Sequence, residues 1–314
     1  MAFAHPVILT IAGFDPSSGA GITADIKVIA AHDCYGIACA TALTVQSTKG
    51  VRRVDGVNPE VIAETLAELA SDFAIDAVHI GMLANEAIAL AVADFLSGAR
   101  LPHVVLDPIL QSTSGADLID PGGMRILIER LLPLSELVTP NLDEAAVLSR
   151  AHLGSVGTTG APPAASPVGL PVQPGNTISP ADSIQTMRAA ARQLHAMGAA
   201  NVVITGGHLD KAIDLLSFTT ARGIEQEVFK AERQRSTSTH GTGCAFSTAL
   251  ACHLAHGRGL PEAVLLSKAY VSAAITNAQP LGHGAGPLNH LYRMSQRRRP
   301  TNIVSEAEHA PARR

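Results

Sequence analysis

The segment Ser238 to Ala251, STHGTGCAFSTALA, places Gly241 and Gly243 directly before an alanine-rich helical stretch. Backbone N–H groups at such a junction can point at one spot, at the positive end of the helix dipole. The segment therefore suits an anion, and Gly243 lets backbone approach it closely. Cys244 falls in the first turn, where the dipole is expected to lower a thiol pKa. The chemistry this permits is a cradle for a phosphoryl group in transfer, with Cys244 facing the attacking oxygen. On spacing alone, a tight turn into a core helix with a small buried cysteine fits as well.

Three other segments end a strand on polar residues. In AGFDPSSGAGITADIK (Ala12 to Lys27) a strand stops near Gly13, Asp15-Pro16 makes a turn, and a flexible crossing leads into a helix bearing Asp25. Ligands of open α/β sheets bind at such strand ends. Asp25 could hydrogen-bond a ligand ring or be an exposed helix carboxylate. VTPNLDEAAVL (Val138 to Leu148) leads from a strand into Asn141 and Glu144. Asn141-x-x-Glu144 fits a capping box; alternatively Glu144 holds waters on a Mg²⁺, which prefers carboxylates and water. VVLDP (Val104 to Pro108) ends on Asp107, which could assist the same metal or cap the turn. His79, His208, His240 and His283 show no metal-ligand spacing and are read as structural. There is no GxGxxG after the first strand, no Gly-Lys dipeptide and no GxSxG elbow. The usual dinucleotide fingerprint and the P-loop are therefore absent, and the missing elbow argues against an α/β-hydrolase triad.

The elements that must carry these segments alternate. Strands are expected at Val7–Ala12, Ala77–Ile80, His103–Leu106, Leu137–Thr139, Val202–Thr205 and Ile213–Phe218. Gly36–Val45 reads as a strand or hairpin, and Gly223–Phe229 as a more polar strand. Helices are expected at Gly21–Ala31, Pro59–Ala70, Asn85–Leu96, Met124–Leu132, Leu142–Ser149, Thr242–His256 and Pro261–Ala278. The strands are apolar throughout rather than alternating, as in a sheet covered by helices on both faces.

Length gives a soft prior of two domains for 314 residues. Residues 151–180, with five Gly and six Pro, read instead as an inserted flexible loop, because Ala181 to Gly206 resumes the helix-then-strand rhythm. One domain over 1–295 and a disordered charged tail over 296–314 are expected. A net charge of −4 and 3% aromatics argue against a nucleic-acid surface or a polybasic membrane anchor. No apolar run reaches the roughly 18 residues of a membrane span. The four cysteines, Cys34, Cys39, Cys244 and Cys252, form no disulfide framework, and a cytoplasmic, reducing location is expected.

Taken in order, GFDPSSGAGITAD, ALTVQSTKGV, IGMLA, VVLDP, VTPNLDEA, GGH, HGTGC and GHGAGP resemble the ribokinase-like superfamily. Within it the match looks nearest to the hydroxymethylpyrimidine/phosphomethylpyrimidine kinases of thiamine biosynthesis. The resemblance spans about Val7 to His290, apart from the insertion. It implies a three-layer α/β/α sandwich around a mostly parallel sheet, and a homodimer. It also implies successive ATP-dependent phosphorylation of the hydroxymethylpyrimidine and its monophosphate. Carried onto matching positions, the pyrimidine lies among Gly13, Asp25, Gln46 and Met82. The ATP phosphates lie over Gly241, Thr242 and Gly243 before Cys244, with Asn141, Thr205 and Gly207 along the nucleotide. Mg²⁺ is expected at Glu144 and Asp107, and a monovalent cation requirement stays open. No nucleic-acid or membrane partner is implied. Two departures bear on ATP. Thr205 stands where relatives often carry Lys before GGH, and Ser236, Thr237 and Ser238 stand where many carry one before HGTGC. With five lysines in the chain and none near these motifs, neutralisation falls to Mg²⁺, the helix dipole or an arginine such as Arg235. A pyridoxal-type kinase and a binding homologue without transfer activity are the competing readings. Gln46 and Met82 favour the pyrimidine.

Overall fold

The first apolar run, Val7–Phe14, is strand β1, and it is followed by helix α1 (Gly21–Ala31). Next come β2 (Tyr35–Ser47) and β3 (Gly50–Gly56), so the expected strand or hairpin is a hairpin. Helix α2 (Pro59–Asp72) starts where Asn58 accepts the N–H of Glu60 and Pro59 needs no donor of its own. Strand β4 (Ala77–Ile80) leads to α3 (Glu86–Ala99), capped by Asn85, and then to β5 (Val104–Leu106). A computed structural model describes these elements and, overall, residues 5–112, 115–156, 180–206, 212–234 and 236–296.

The helix expected at Met124–Leu132 begins earlier and is broken. Asp120 caps α4 (Pro121–Ile126), a π-helical turn covers Leu127–Leu131, and α5 (Leu132–Leu134) ends the run. Pro133, which has no N–H and crowds the carbonyl four residues before it, disturbs the ladder there. Strand β6 (Leu137–Val138) and helix α6 (Leu142–Val156) follow. Because α6 runs on to Val156, the first six residues of the expected insertion are helical. Helix α7 (Pro180–Ala196) resumes the chain, and residues 157–179 lie outside the described residues. Strands β7 (Asn201–Gly206), β8 (Ala212–Thr220) and β9 (Gly223–Ala231) precede α8 (Thr242–Ala255), α9 (Leu260–Thr276) and a short α10 (Tyr292–Gln296). The tail from 297 onward also lies outside the described residues.

All nine strands join one sheet in the order β3-β2-β1-β4-β5-β6-β7-β8-β9. Strands β2 to β7 of that order pair in parallel, while β3 at one edge and β8-β9 at the other are antiparallel. Helices α2 to α7 pack on one face around Leu66, Ile80, Val92, Leu131 and Leu194. Helices α1, α8 and α9 cover the other, around Ile29, Val105, Phe246 and Leu250. The four residues of β4 are all buried. Burying each Ile or Leu on such a strand contributes about 1.5–3 kcal/mol, so the all-apolar strands and the two helical layers specify one another. The order turns at β1, whose neighbours β2 and β4 lie on opposite sides, and such a reversal opens a crevice at the strand C-termini.

Candidate active site

The C-terminal ends of β1, β4, β5, β6 and β7 and the N-terminus of α8 face one cavity of about 1450 Å³. A pocket for one small molecule is usually about 300–1,000 Å³, so two substrates fit side by side. Every residue expected in the site lines this cavity, except Gly207, which lies outside the described residues, as do Arg235 and His208.

Irregular pairing shapes the cavity wall at β1–β3. The β1–β2 register shifts between Ala12 and Phe14, and β2–β3 shifts between Val45 and Gln46. Bulges of this kind re-aim side chains at sites, and here they expose the Gly13 backbone and present Gln46. A Cβ on Gly13 would stand 3.0 Å from the Met82 sulfur, so the glycine is what lets Met82 close that wall. The Gln46 amide Nε2 lies 3.1 Å from His240 Nε2. Asp25 is neither an exposed helix carboxylate nor free to meet a ring. It has no exposed surface; Thr248 donates to Oδ1 at 2.9 Å and Thr10 to Oδ2 at 2.8 Å. Both oxygens are engaged by the core, so Asp25 forms part of the cavity floor.

The glycine turn before α8 is pinned to the loop after β1. Gly241 has φ +80°, and a Cβ there would lie 2.0 Å from the Gly19 carbonyl oxygen. Gly243 meets only Asp107 Oδ2, at 4.0 Å. The first glycine is therefore required by the fold, and the second leaves room above the helix N-terminus. Asp15 ties the two loops. Its carboxylate accepts N–H groups from Ser17, Gly19 and Ala20 and lies 3.1 Å from His240 Nε2. Burial pushes its pKa up, but His240 and the Ser17 and Ala20 donors outweigh this and hold it below the usual value.

The expectation of a lowered Cys244 pKa is not met. Burial, reinforced by Asp107 and Asp25, drives the thiol well above its ordinary value, despite the Gly21 N–H that points to it. The helix dipole contributes a fraction of a charge, too little against complete burial beside carboxylates. The thiol instead hydrogen-bonds Asp107.

Glu144 makes the capping box, and its side chain also lines the cavity. Asn141 N–H donates to Glu144 Oε2 at 2.8 Å, and Glu144 N–H donates to Asn141 Oδ1 at 2.9 Å, a complete capping box. The same carboxylate faces Asp107 across the cavity wall. Burial and then the Asp107 charge push Glu144 up to about 8, and burial pushes Asp107 up to about 6. A buried and a half-buried carboxylate that resist ionising together are what a hard divalent cation relieves. No group of three or more acidic, His or Cys ligands occurs among the described residues. A Mg²⁺ held by one or two carboxylates and several waters fits that donor set.

At the ends of β6 and β7, Asn141 and Thr205 bridge, with Thr205 N–H donating to the Pro140 carbonyl at 3.0 Å. The expectation that no lysine comes near is corrected here. Lys268 on α9 lines the cavity and pairs with Asp214 at 2.5 Å, and Asp214 accepts the Gly206 N–H at 3.1 Å. Lys268 lies 63 positions after Thr205 along the chain, and no local motif announces it. His79 and His240 also line the cavity and were missed as site residues, for want of any spacing that marks a single histidine.

The sequence model of the phosphomethylpyrimidine kinase family matches residues 15–160 and 176–289. The unmatched stretch between them falls inside the expected insertion. The chain is 40% identical over 291 residues to the thiamine biosynthesis bifunctional protein ThiED of Geobacter sulfurreducens, covering 92% of this chain and 53% of that protein. It spans about half of that relative. It is 39% identical over 286 residues to the hydroxymethylpyrimidine/phosphomethylpyrimidine kinase of Salmonella typhimurium, covering 90% of this chain and 97% of the relative. Among solved structures, an ADP complex of Bacillus subtilis pyridoxal kinase superposes with a TM-score of 0.74 at 30% identity, covering 93% of this chain and all of the other.

Proposed function

The chain belongs to the phosphomethylpyrimidine kinase family, and from that premise we propose how its cavity phosphorylates 4-amino-5-hydroxymethyl-2-methylpyrimidine and then its monophosphate, in thiamine biosynthesis. One observation carries the assignment of roles. The ring wall of Gly13, Gln46 and Met82, the glycine turn at α8 and the Asp107–Glu144 pair all open onto one cavity.

In the first step the substrate hydroxymethyl oxygen attacks the γ-phosphorus of ATP, the bond to the ADP oxygen breaks, ADP leaves, and the hydroxyl proton passes to solvent water. N–H groups of the turn from Gly241 to Cys244 receive the charge that builds on the transferring group. Asp107 and Glu144 would hold Mg²⁺, which supplies charge neutralisation on the phosphate oxygens. Cys244 is held as a thiol, so its part in this step is to hydrogen-bond and orient beside Asp107. In the second step the acceptor is a phosphate oxygen, ionised already at neutral pH, and no base is needed. Asn141 and Thr205 lie along the nucleotide, with Lys268 as the nearby cation. The exposed Phe14, Leu43 and Val45 on one face of β1–β2 support a homodimer.

Incubation with ATP and the hydroxymethylpyrimidine, followed by mass spectrometry, tests the reading: mono- and diphosphate should both form, and the absence of both would overturn it. Likeness to a pyridoxal kinase favours pyridoxine as a second substrate to run in parallel. Only the pyrimidine should reach a diphosphate.

A further inference from the structure

Thr44 and Gln46 alternate with the exposed Leu43 and Val45 along β2, so they share the face that looks into the cavity, and both are half-buried. From them a line of polar atoms runs to the turn before α8. Thr44 Oγ1 lies 2.9 Å from the Phe14 carbonyl oxygen and 3.2 Å from Gln46 Oε1. Gln46 Nε2 lies 3.1 Å from His240 Nε2, which lies 3.1 Å from Asp15 Oδ2. A half-turn of the amide exchanges its oxygen and nitrogen without changing the shape of the side chain, so the hydrogen bonds decide which atom stands where.

The donors on this line can be counted. The Asp15 carboxylate already accepts from the Ser17 N–H and hydroxyl and from the Gly19 and Ala20 N–H groups. Such a set of donors belongs to the ionised form, and a lone pair on His240 Nε2 would face it in repulsion. His240 Nε2 therefore carries a proton that points at Asp15. An amide NH2 beside that N–H would set donor against donor, whereas an amide oxygen accepts from it. At the other end Thr44 has one hydroxyl proton, and the Phe14 carbonyl is the nearer acceptor. The hydroxyl then offers a lone pair to Gln46, which an amide NH2 satisfies. Both ends require the same half-turn: oxygen beside His240, nitrogen beside Thr44.

We infer that Thr44 is a positioning residue for the pyrimidine: together with His240 it fixes the Gln46 amide in this orientation, and with it the direction in which the ring lies. One edge of the hydroxymethylpyrimidine presents a ring nitrogen, then the 4-amino group, then the 5-hydroxymethyl group. The fixed amide offers a donor on the Thr44 side, for the ring nitrogen, and an acceptor on the His240 side, for the amine. The hydroxymethyl group, next to the amine, is then directed past His240 toward the turn from Gly241 to Cys244. The opposite amide would send it toward Thr44 and away from the turn. A pyridoxal-type ring has no nitrogen-then-amine edge, so the same pair of contacts separates the two substrate classes. The inference rests on the kinase reading above.

The test measures kcat and KM for the hydroxymethylpyrimidine and for its analogue lacking the 4-amino group, with melting temperature as a check on folding. In the wild type, loss of the amine should lower kcat/KM about 30-fold. Thr44→Val keeps the side-chain shape without the hydroxyl. It should lower kcat/KM for the full substrate about tenfold while KM for ATP stays within about twofold. In this variant loss of the amine should cost no more than about threefold, because the amide is no longer held to receive it. A purely structural role would slow both substrates alike. Thr44→Ser keeps the hydroxyl and should stay within about threefold of the wild type for both. If Thr44→Val does not fold, Thr44→Ala against Thr44→Ser makes the same comparison. A valine variant at wild-type kcat/KM, an unchanged penalty for the missing amine, or a loss that serine does not rescue would each overturn the inference. A wild-type enzyme that phosphorylates neither pyrimidine sinks the kinase reading itself and this inference with it.

Discussion

His240 Nε2 lies 3.1 Å from Asp15 Oδ2, joining residues 225 apart in the chain. This contact ties the loop after β1 to the glycine turn before α8. Both partners are largely buried, with side-chain exposures of 14% and 4%, where a charge-assisted hydrogen bond contributes about 1.5–3 kcal/mol. His240→Ala is therefore expected to lower kcat/KM by about 10- to 100-fold for pyrimidine and ATP alike. His240→Gln, which can still donate to Asp15, should recover most of it. Steady-state kinetics check this, and a loss confined to ATP would show that the two loops are held independently.

The two glycines of the turn should fail in different ways. A Cβ on Gly241 would strike the Gly19 carbonyl in a left-handed backbone conformation, so Gly241→Ala should destabilise the fold by several kcal/mol, on the order of other strained or overpacked substitutions. A Cβ on Gly243 has space, and alanine is a good residue in a first helical turn. Gly243→Ala should thus melt at or above the wild-type temperature while losing about 10²-fold in kcat, since the methyl group would occupy the position proposed for the phosphoryl group. Thermal denaturation beside turnover separates the two.

Cys244 stands as a buried thiol beside Asp107, which makes its part in the two steps unequal. The alcohol of the first step must lose a proton, and misplacing the groups around it costs about 10²-fold or more. The ionised phosphate of the second step has none to lose. Cys244→Ala should slow formation of the monophosphate about 10²-fold and its conversion to the diphosphate by less than about tenfold. Equal losses in both steps would assign Cys244 to phosphate positioning alone.

The strand ends and the glycine turn were legible because their chemistry is local. Asn141 and Glu144 are three residues apart, Gly241 and Gly243 two apart, and each all-apolar strand announces a covered sheet. What escaped was assembled by the fold. His79 is an ordinary residue of an apolar strand until α8 brings Ser247 to one side of it and α1 brings Asp25 to the other. Cys244 misled for a related reason: its place in a first helical turn is local, whereas the burial and the carboxylates that set its pKa come from elsewhere. The hairpin strand β3, polar and at the sheet edge, gave too weak an alternation to be separated from β2.

Lys268 tests whether the missing motif lysines are replaced from another element. Lys268→Met would leave Asp214, with a side chain 9% exposed, unpaired, at a cost of about 3–5 kcal/mol. The double change with Asp214→Leu removes that penalty and isolates the effect on the nucleotide. In it, KM for ATP should rise about tenfold, the scale of one charge-assisted phosphate contact. Thr205→Lys, placing an amine where the neighbouring strand end meets Asn141, should lower KM for ATP by about fivefold. An unchanged KM in both would remove Lys268 from the nucleotide site.

Acid should act on the α9 side of the fold through His290. The residue is 3% exposed, its Nε2 has no hydrogen-bond partner among the described residues, and burial lowers its pKa to about 4. The unfolded chain binds that proton at about 6.5, so between these values it is the unfolded state that holds more protons and stability falls as pH falls. By pH 5 the loss amounts to about 2 kcal/mol relative to neutral pH. Glu144 and Asp107 act in the opposite sense: with folded values of about 8 and about 6, above their ordinary ones, they gain stability as they protonate. Between pH 7 and pH 5 the two carboxylates together gain about twice what His290 loses, so the total pH dependence does not report the histidine by itself. Comparing wild type with His290→Phe isolates the histidine, since both proteins keep the carboxylates. Urea unfolding at pH 7 and pH 5 should show the variant gaining about 2 kcal/mol on the wild type. Parallel curves would mean that His290 is protonated in the folded state, with water or a shifted Tyr270 hydroxyl accepting from it.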